Sequence, residues 1–251
     1  MIELLQEMRT DMKKNNRFFN RMLLMMTLVL VFTSSCKKDS PDISYGSITD
    51  QSGNTYKTVE IGTQTWMAEN LATTRFNDNI AIPNVAGNSE WTDHTTPAYC
   101  WVNNDETASK PIYGALYNWY AVATGKLCPA GWHVASDAEF KVLETYLGMT
   151  QLQADEKLWR GTDQGSQLKS ATGWKAGENG SNSSGFSALP GGYRYHLDGL
   201  FNNVGELGYW WCSDENDPSL GTYRRLDGNN DGIYRESTLK AAGKSVRCIK
   251  D

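Results

Sequence analysis

The sequence has no apolar run long enough to cross a bilayer: Met22 to Phe32 falls far short of the roughly 20 residues that a spanning helix needs. Basic residues are not in excess either, with 24 Lys and Arg against 29 Asp and Glu and a net charge of −5, which argues against a nucleic-acid partner. The three histidines, His94, His133 and His196, lie far apart and no C-x-x-C pair exists, so the ligand spacing of a zinc site is missing. There is no G-x-S-x-G, and no serine or cysteine carries a local nucleophile signature. Carboxylate pairs of the glycosidase kind meet in space rather than in sequence, and no segment singles one out. No segment repeats at a fixed period, and long amphipathic helical periods are scarce.

What is present begins at the N-terminus. Lys13, Lys14, Arg17 and Arg21 precede the apolar run, and Ser34-Ser35 lead straight into Cys36. That order is expected of a secretory signal over residues 1–35. A cysteine directly after the small residues resembles a bacterial lipobox, in which Cys36 is lipidated and becomes the new N-terminus. Glu3, Glu7 and Asp11 are unusual ahead of a basic n-region, so Met12 is the better translation start. Residues 36–45 read as a polar tether, and Lys37 in place of Asp at the second mature position favours delivery to the outer membrane, with surface exposure left open. Such an anchor implies the membrane as one partner.

Removing residues 1–35 takes away five basic and three acidic residues, so the net charge falls from −5 to −7. All nine tryptophans lie in the remainder, among many Gly and Asn residues, which suggests short strands, many turns and an aromatic-rich core. Tyr56–Ile61 alternates apolar and polar residues and turns through Gly62-Thr63-Gln64 into Thr65-Trp66-Met67, a hairpin pattern. Residues 77–94 read as loop, 113–122 as helix or strand, and 161–184 as a long surface connection. Ser136-Asp137-Ala138-Glu139 is a capping box that opens the main helix. Phe140, Leu143, Tyr146 and Leu147 form its apolar face, and Gly148 stops it.

Two segments are candidate sites. In a strand over Tyr209-Trp210-Trp211, Tyr209 and Trp211 share one face, either as an aromatic platform for a sugar ring or as core. Asp214, Glu215 and Asn216 follow, either as acceptors of sugar hydroxyls or as a solvated acidic loop. Asp227-Gly228-Asn229-Asn230-Asp231-Gly232 matches the opening of a calcium loop, with Asp227, Asn229 and Asp231 as candidate ligands for weak binding. Its twelfth position is Thr238 rather than a bidentate Glu, and its flanks read as strands, so the same residues also read as a hairpin turn. His133, in an apolar Trp-His-Val strand, reads as a structural histidine.

Several motifs together resemble the Fibrobacter succinogenes major paralogous domain, found in envelope proteins and lipoproteins of Bacteroidetes-type bacteria. They are Thr65-Trp66-Met67-Ala68-Glu69-Asn70-Leu71, Tyr99-Cys100-Trp101 and Tyr113-Gly114-Ala115-Leu116-Tyr117-Asn118-Trp119-Tyr120. Leu127-Cys128-Pro129-Ala130-Gly131-Trp132-His133-Val134 and Gly185-Phe186-Ser187-Ala188-Leu189-Pro190-Gly191-Gly192-Tyr193-Arg194 continue the series. Gly208-Tyr209-Trp210-Trp211 and Ser245-Val246-Arg247-Cys248 complete it. The chain departs from the pattern at Cys212, where Ser is usual, and over residues 226–235, which are more acidic. A weaker similarity links the domain to C-type lectins and formylglycine-generating enzymes. The lectin calcium triplets of Glu-Pro-Asn type and the matched cysteine pair of the oxidase site are both absent.

The resemblance implies a single α+β domain over residues 46–251. Its strands are short and mostly antiparallel, with one main helix and many loops, C-type-lectin-like in outline. In that outline the closing strand returns beside the entry to the main helix, which implies a disulfide between Cys128 and Cys248. Cys100 and Cys212 are then left over, pairings of Cys100 with either of the other two remaining open. The expected function is non-enzymatic: an envelope-anchored binding or adhesion module for polysaccharide or a surface protein, with no cofactor beyond weak calcium. A structural surface lipoprotein and a divergent enzyme acting on an envelope glycan are the alternatives.

Overall fold

Alternation over Tyr56–Ile61 and the turn at Gly62-Thr63 produce the expected hairpin in the computed structural model, which describes residues 43–251. Gly62 adopts φ +64°, the left-handed conformation that closes a two-residue turn. In chain order the described strands are β1 (Tyr45–Thr49), β2 (Thr55–Ile61), β3 (Gln64–Met67), β4 (Tyr99–Trp101), β5 (Ala115–Tyr117), β6 (Trp132–Val134) and β7 (Leu158–Arg160). They continue with β8 (Tyr193–Arg194), β9 (Phe201–Asn202), β10 (Leu207–Asp217), β11 (Leu220–Asp227), β12 (Asn230–Leu239) and β13 (Cys248–Lys250). The helices are α1 (Asn88–Thr92), α2 (Glu106–Tyr113), α3 (Trp119–Val122), α4 (Asp137–Tyr146), α5 (Gln151–Asp155) and α6 (Gln164–Leu168). A five-stranded sheet runs β1-β2-β3-β13-β6 and a four-stranded sheet runs β10-β11-β12-β7, every neighbour antiparallel. The architecture is mixed α+β with antiparallel sheets and few, short helices. Among the described residues no helix is long and apolar enough to cross a membrane.

The signal segment, Cys36 and the tether up to residue 42 lie outside the described residues. The end of the expected tether does not stay free: Ile43 packs on the core and Tyr45 opens β1, so the folded part begins before residue 46. Residues 77–94 are not loop throughout, since α1 lies within them and buries Trp91. Residues 113–122 divide into the end of α2, β5 and α3, with Gly114 and Asn118 at the two breaks. Residues 161–184 are not merely a surface connection, because α6 lies within them and Leu168, Lys169 and Trp174 are buried. Three strands, β10, β11 and β12, are longer than expected, with 11, 8 and 10 residues.

The main helix starts as the capping box predicts. Ser136 Oγ accepts from the Glu139 N–H, and Glu139 Oε2 accepts from the Ser136 N–H at 2.8 Å. Gly148, at φ +105°, follows its last turn. Its buried face is Phe140 and Leu143 with Glu144, however, while Tyr146 is exposed. Burying Glu144 requires counter-charges, and the four-stranded sheet supplies them. Arg160 of β7 donates to both Glu144 oxygens at 3.0 and 2.9 Å, and Arg224 of β11 donates to Glu144 at 2.7 Å. Arg224 also reaches Asp137 at 2.6 Å, and Arg235 of β12 grips both Asp137 oxygens at 2.7 Å. Burial alone would raise the Asp137 carboxyl, but hydrogen bonds and charge from Arg235 and Arg224 hold it well below the usual carboxylate range. Three adjacent strands are thereby clamped to one helix face.

The second fixture is the disulfide. Cys128 and Cys248 are bonded, with Cα atoms 6.0 Å apart, and they tie the entry of β6 to β13 across 120 residues. Cys100 and Cys212 are free and buried.

A third node joins distant motif residues. Asn70 Oδ1 accepts from Trp210 Nε1 at 2.8 Å and from Arg247 Nε at 2.7 Å. Arg247 further donates to the carbonyls of Met67 and Phe186 at 2.9 and 2.6 Å. The residues that carry the family resemblance therefore hold the fold. Replacing Glu144 by Ala leaves Arg160 and Arg224 buried without their shared carboxylate. We expect a stability loss of about 3–5 kcal/mol in urea denaturation, and a loss below about 1 kcal/mol would contradict the clamp.

Candidate functional site

Side chains alternate along a strand, so the residues next to the clamp face the other way. Arg224 points to α4, and Arg225 therefore lies on the opposite face of the four-stranded sheet. The register sets a row across that face: Tyr209 opposite Arg225, Arg225 opposite Tyr234, and Tyr234 opposite Trp159. Trp159 and Tyr234 are half-buried, with ring centroids 5.3 Å apart and edge to face. The Arg225 guanidinium lies 4.8 Å from the Trp159 ring and 4.3 Å from Tyr234. Tyr193, half-buried on β8, extends the row at 4.8 Å from Tyr209, and Tyr195 and His196 follow it.

At the base of this aromatic basin sits Lys244. Its ammonium nitrogen is 4.3 Å from the Tyr223 ring, 4.6 Å from Tyr209, 5.0 Å from Trp211 and 5.1 Å from Tyr193. The residue is 2% exposed and, while its backbone pairs with Tyr117, its ammonium has no ion-pair or hydrogen-bond partner among the described residues. Burial, and then the nearby Arg225 charge, push the Lys244 ammonium down to about 7, while the four π faces act in the opposite sense. Among the described residues Arg225 has only Asp227 at 3.9 Å as a counter-charge, and its Nε is buried without an acceptor. The Nδ1 atom of His196 is likewise buried and unpaired.

The residues singled out from sequence are placed differently. Tyr209 and Trp211 do share a face, but they are 6% and 0% exposed, so neither is a platform on which a ring can stack; they are the floor of the basin. Asp214, Glu215 and Asn216 are not an acidic loop but the far end of β10, separated from Tyr209 by a bulge. Asp214 accepts from the Asp137 N–H at the start of α4, Glu215 pairs with Lys240 at 2.6 Å, and Asn216 is exposed. Gly228-Asn229 forms the hairpin turn between β11 and β12, with Asp227 paired to Asn230 and Asp231 already in β12. There the buried Lys169 ammonium donates to the carbonyls of Asp227, Gly228 and Asn230 at 3.1, 3.0 and 3.2 Å, with Asp231 at 3.5 Å. A cation thus already occupies that turn, and it is a lysine from α6's C-terminal flank. Among the described residues no three His, Cys, Asp or Glu side chains are grouped to hold a metal.

His133 is held on both ring nitrogens, by Asp251 at 2.6 Å and Glu139 at 2.7 Å. Burial lowers its basicity, but the two carboxylates outweigh that and raise it above the ordinary histidine value. Burial pushes the thiols of Cys100 and Cys212 up to about 12, which removes them as nucleophiles near neutral pH. A separate groove of about 910 Å3 lies between the β1–β2 hairpin and α2. Several of its polar groups are already engaged: Lys110 pairs with Glu106 at 3.3 Å, Glu69 accepts from the Lys57 N–H, and Asn70 belongs to the Trp210–Arg247 node. The basin, with its unpartnered Lys244 and its in-register aromatic row, is the better candidate site.

The basin makes a pH prediction. The groups facing Lys244 are Arg225, His196 and the phenols of Tyr193, Tyr209 and Tyr223; burial raises all three phenols above their usual value, so none loses its proton between pH 7 and 9. The folded amine releases its proton near pH 7, whereas the unfolded chain keeps it to about 10.4. Unfolding therefore takes up a proton in that window, and stability rises with pH by up to about 1.4 kcal/mol per unit. Thermal melts from pH 7 to 9 are expected to show this rise in the wild type and not in Lys244→Met; equal slopes would contradict it.

No curated protein and no solved structure matches the chain. The family profile of the Fibrobacter succinogenes major domain (Fib_succ_major) matches residues 59–250. With three quarters of its length matched, including the Asn70–Trp210–Arg247 node, the β6–β13 disulfide and the basin, the chain belongs to the Fibrobacter succinogenes major domain family.

Proposed function

We propose that this domain is a non-catalytic glycan-binding module held at the cell envelope. The observation that carries the reading is the in-register row Tyr209–Arg225–Tyr234–Trp159, whose outer half is accessible and edged by Tyr193. A sugar ring presents an apolar face and a rim of hydroxyls, so it suits an aromatic edge beside hydrogen-bond donors. The absence of catalysis is supported by the engaged His133, the inert buried thiols and the lack of a nucleophile signature. The pairing of β13 with β6 beside the entry to α4 supports a lectin-like reading of the fold, although fold likeness alone carries no function.

The Cys128–Cys248 disulfide is consistent with an extracytoplasmic location. The signal and lipobox pattern ending at Cys36 supports the finer reading, a lipid anchor in the outer membrane with the domain at or near the cell surface. The partners are then the membrane, through the anchor, and an envelope or external polysaccharide.

A glycan array at millimolar calcium is expected to give hits that Trp159→Ala and Tyr234→Ala each weaken about tenfold, equivalent to about 1.4 kcal/mol. An empty array, or hits untouched by both variants, would contradict the reading. Cys36→Ala is expected to move the product out of the detergent phase on phase separation; unchanged partitioning would contradict the anchor.

A further inference from the structure

Buried cations are normally paired, because taking a charge out of water without a partner is strongly unfavourable. The described part of this protein follows that rule closely elsewhere. Arg160 and Arg224 share Glu144, Arg235 grips Asp137, Arg194 is spread over the carbonyls of Val85, Ala86 and Gly199, and Lys169 sits among three carbonyls. Lys244 is the exception. It is as buried as Arg160, Arg224, Arg194 and Lys169, its ammonium has aromatic faces on four sides, and no oxygen accepts from that ammonium. The neighbouring charge that acts on it is a second cation, Arg225, which has Asp227 only at 3.9 Å and whose Nε has no acceptor.

An unpartnered cation and a second one with a single carboxylate at 3.9 Å, beside half-exposed rings, leave the basin with an excess of positive charge. We propose that the basin takes glycans bearing anionic sugar residues, a carboxylate or sulfate pairing with Lys244 and Arg225 while the ring stacks on Trp159 and Tyr234. This rests on the glycan-binding reading above and goes further by naming the substrate class. The aromatic walls exclude water from the ion pair, which strengthens it relative to a surface pair. They also set the specificity: a neutral sugar leaves Lys244 unpaired, and a carboxylate without a ring gains no stacking.

Matched probes separate these contributions. The full chain in detergent is titrated calorimetrically with trigalacturonate, its trimethyl ester, galactotriose and 6-O-sulfated galactotriose. At least one anionic probe is expected to bind ten or more times more tightly than its neutral counterpart, and the preferred member identifies the anion. Lys244→Met should remove most of that preference while leaving the weak binding of the neutral probes, and Arg225→Gln, which also lines the sugar-binding row, should weaken the anionic probes more than the neutral ones. Lys244→Met should also raise Tm at pH 7, since it replaces an unpartnered buried charge with an apolar side chain of similar length. Equal binding of acid and neutral probes, or an acid preference that survives both substitutions, would overturn the proposal. If neutral glycans then bind in a Trp159-dependent way, the glycan-binding reading stands without it. If no probe binds and the array is empty, both fall.

Discussion

The carboxylate of Glu144 is the point on which the arrangement depends. It lies fully buried on the inner face of α4, and the charges it gathers come from two strands, Arg160 of β7 and Arg224 of β11. Asp137, two turns closer to the helix start, brings in Arg235 of β12. Such a network is a weak source of net stability, because desolvation offsets much of its attraction. It is a strong source of specificity. Slipping any of these strands by one residue would turn its arginine to the wrong face and strand the carboxylates.

That constraint decides which face of the sheet is left for function. With Arg224 committed to the helix, alternation sends Tyr223 and Arg225 to the opposite side, where β10, β12 and β7 contribute Tyr209, Tyr234 and Trp159 in register. One end of that face is sealed by the core containing Tyr117, Trp119 and Trp211. The other end opens as the basin over Lys244. The hydrogen bond from Trp119 Nε1 to the Cys212 carbonyl, and that from Trp211 Nε1 to the Tyr117 carbonyl, fix the sealed end. The rigidity of the basin floor therefore follows from the same strands that the ion network aligns.

Elements governed by local chemistry were legible in the sequence: the hairpin closed by Gly62, the capping box at Ser136, and the turn at Gly228-Asn229. The family motifs were legible too, and the outline they implied placed Cys128 beside Cys248. What sequence reading missed depends on registry between distant strands. Tyr209 and Trp211 looked like a platform because their alternation is visible in one segment, but the segment that covers them is 94 residues away in the case of Tyr117. Trp159, Arg225, Tyr234 and Lys244 each look ordinary alone, and only the β10-β11-β12-β7 order makes them one site. One signal was available: Lys244 is a charged residue in a run from Ala242 to Ile249 that is otherwise largely apolar or small, a setting in which a lysine needs a reason. The calcium-like turn misled for a related reason, since its carbonyls do hold a cation, supplied from outside the turn by Lys169.

The most direct test of the account is an amide and indole NMR titration of the protein with a glycan that binds it. The indole Nε1–H signal of Trp159 and the backbone signals of Arg225 and Tyr234 are predicted to shift together and saturate at one concentration, while the indole signals of the buried Trp210 and Trp119 stay in place. Shifts confined to Asp214–Asn216, to Asp227–Asp231 at the β11–β12 hairpin or to the groove beside α2, with Trp159 unmoved, would contradict it.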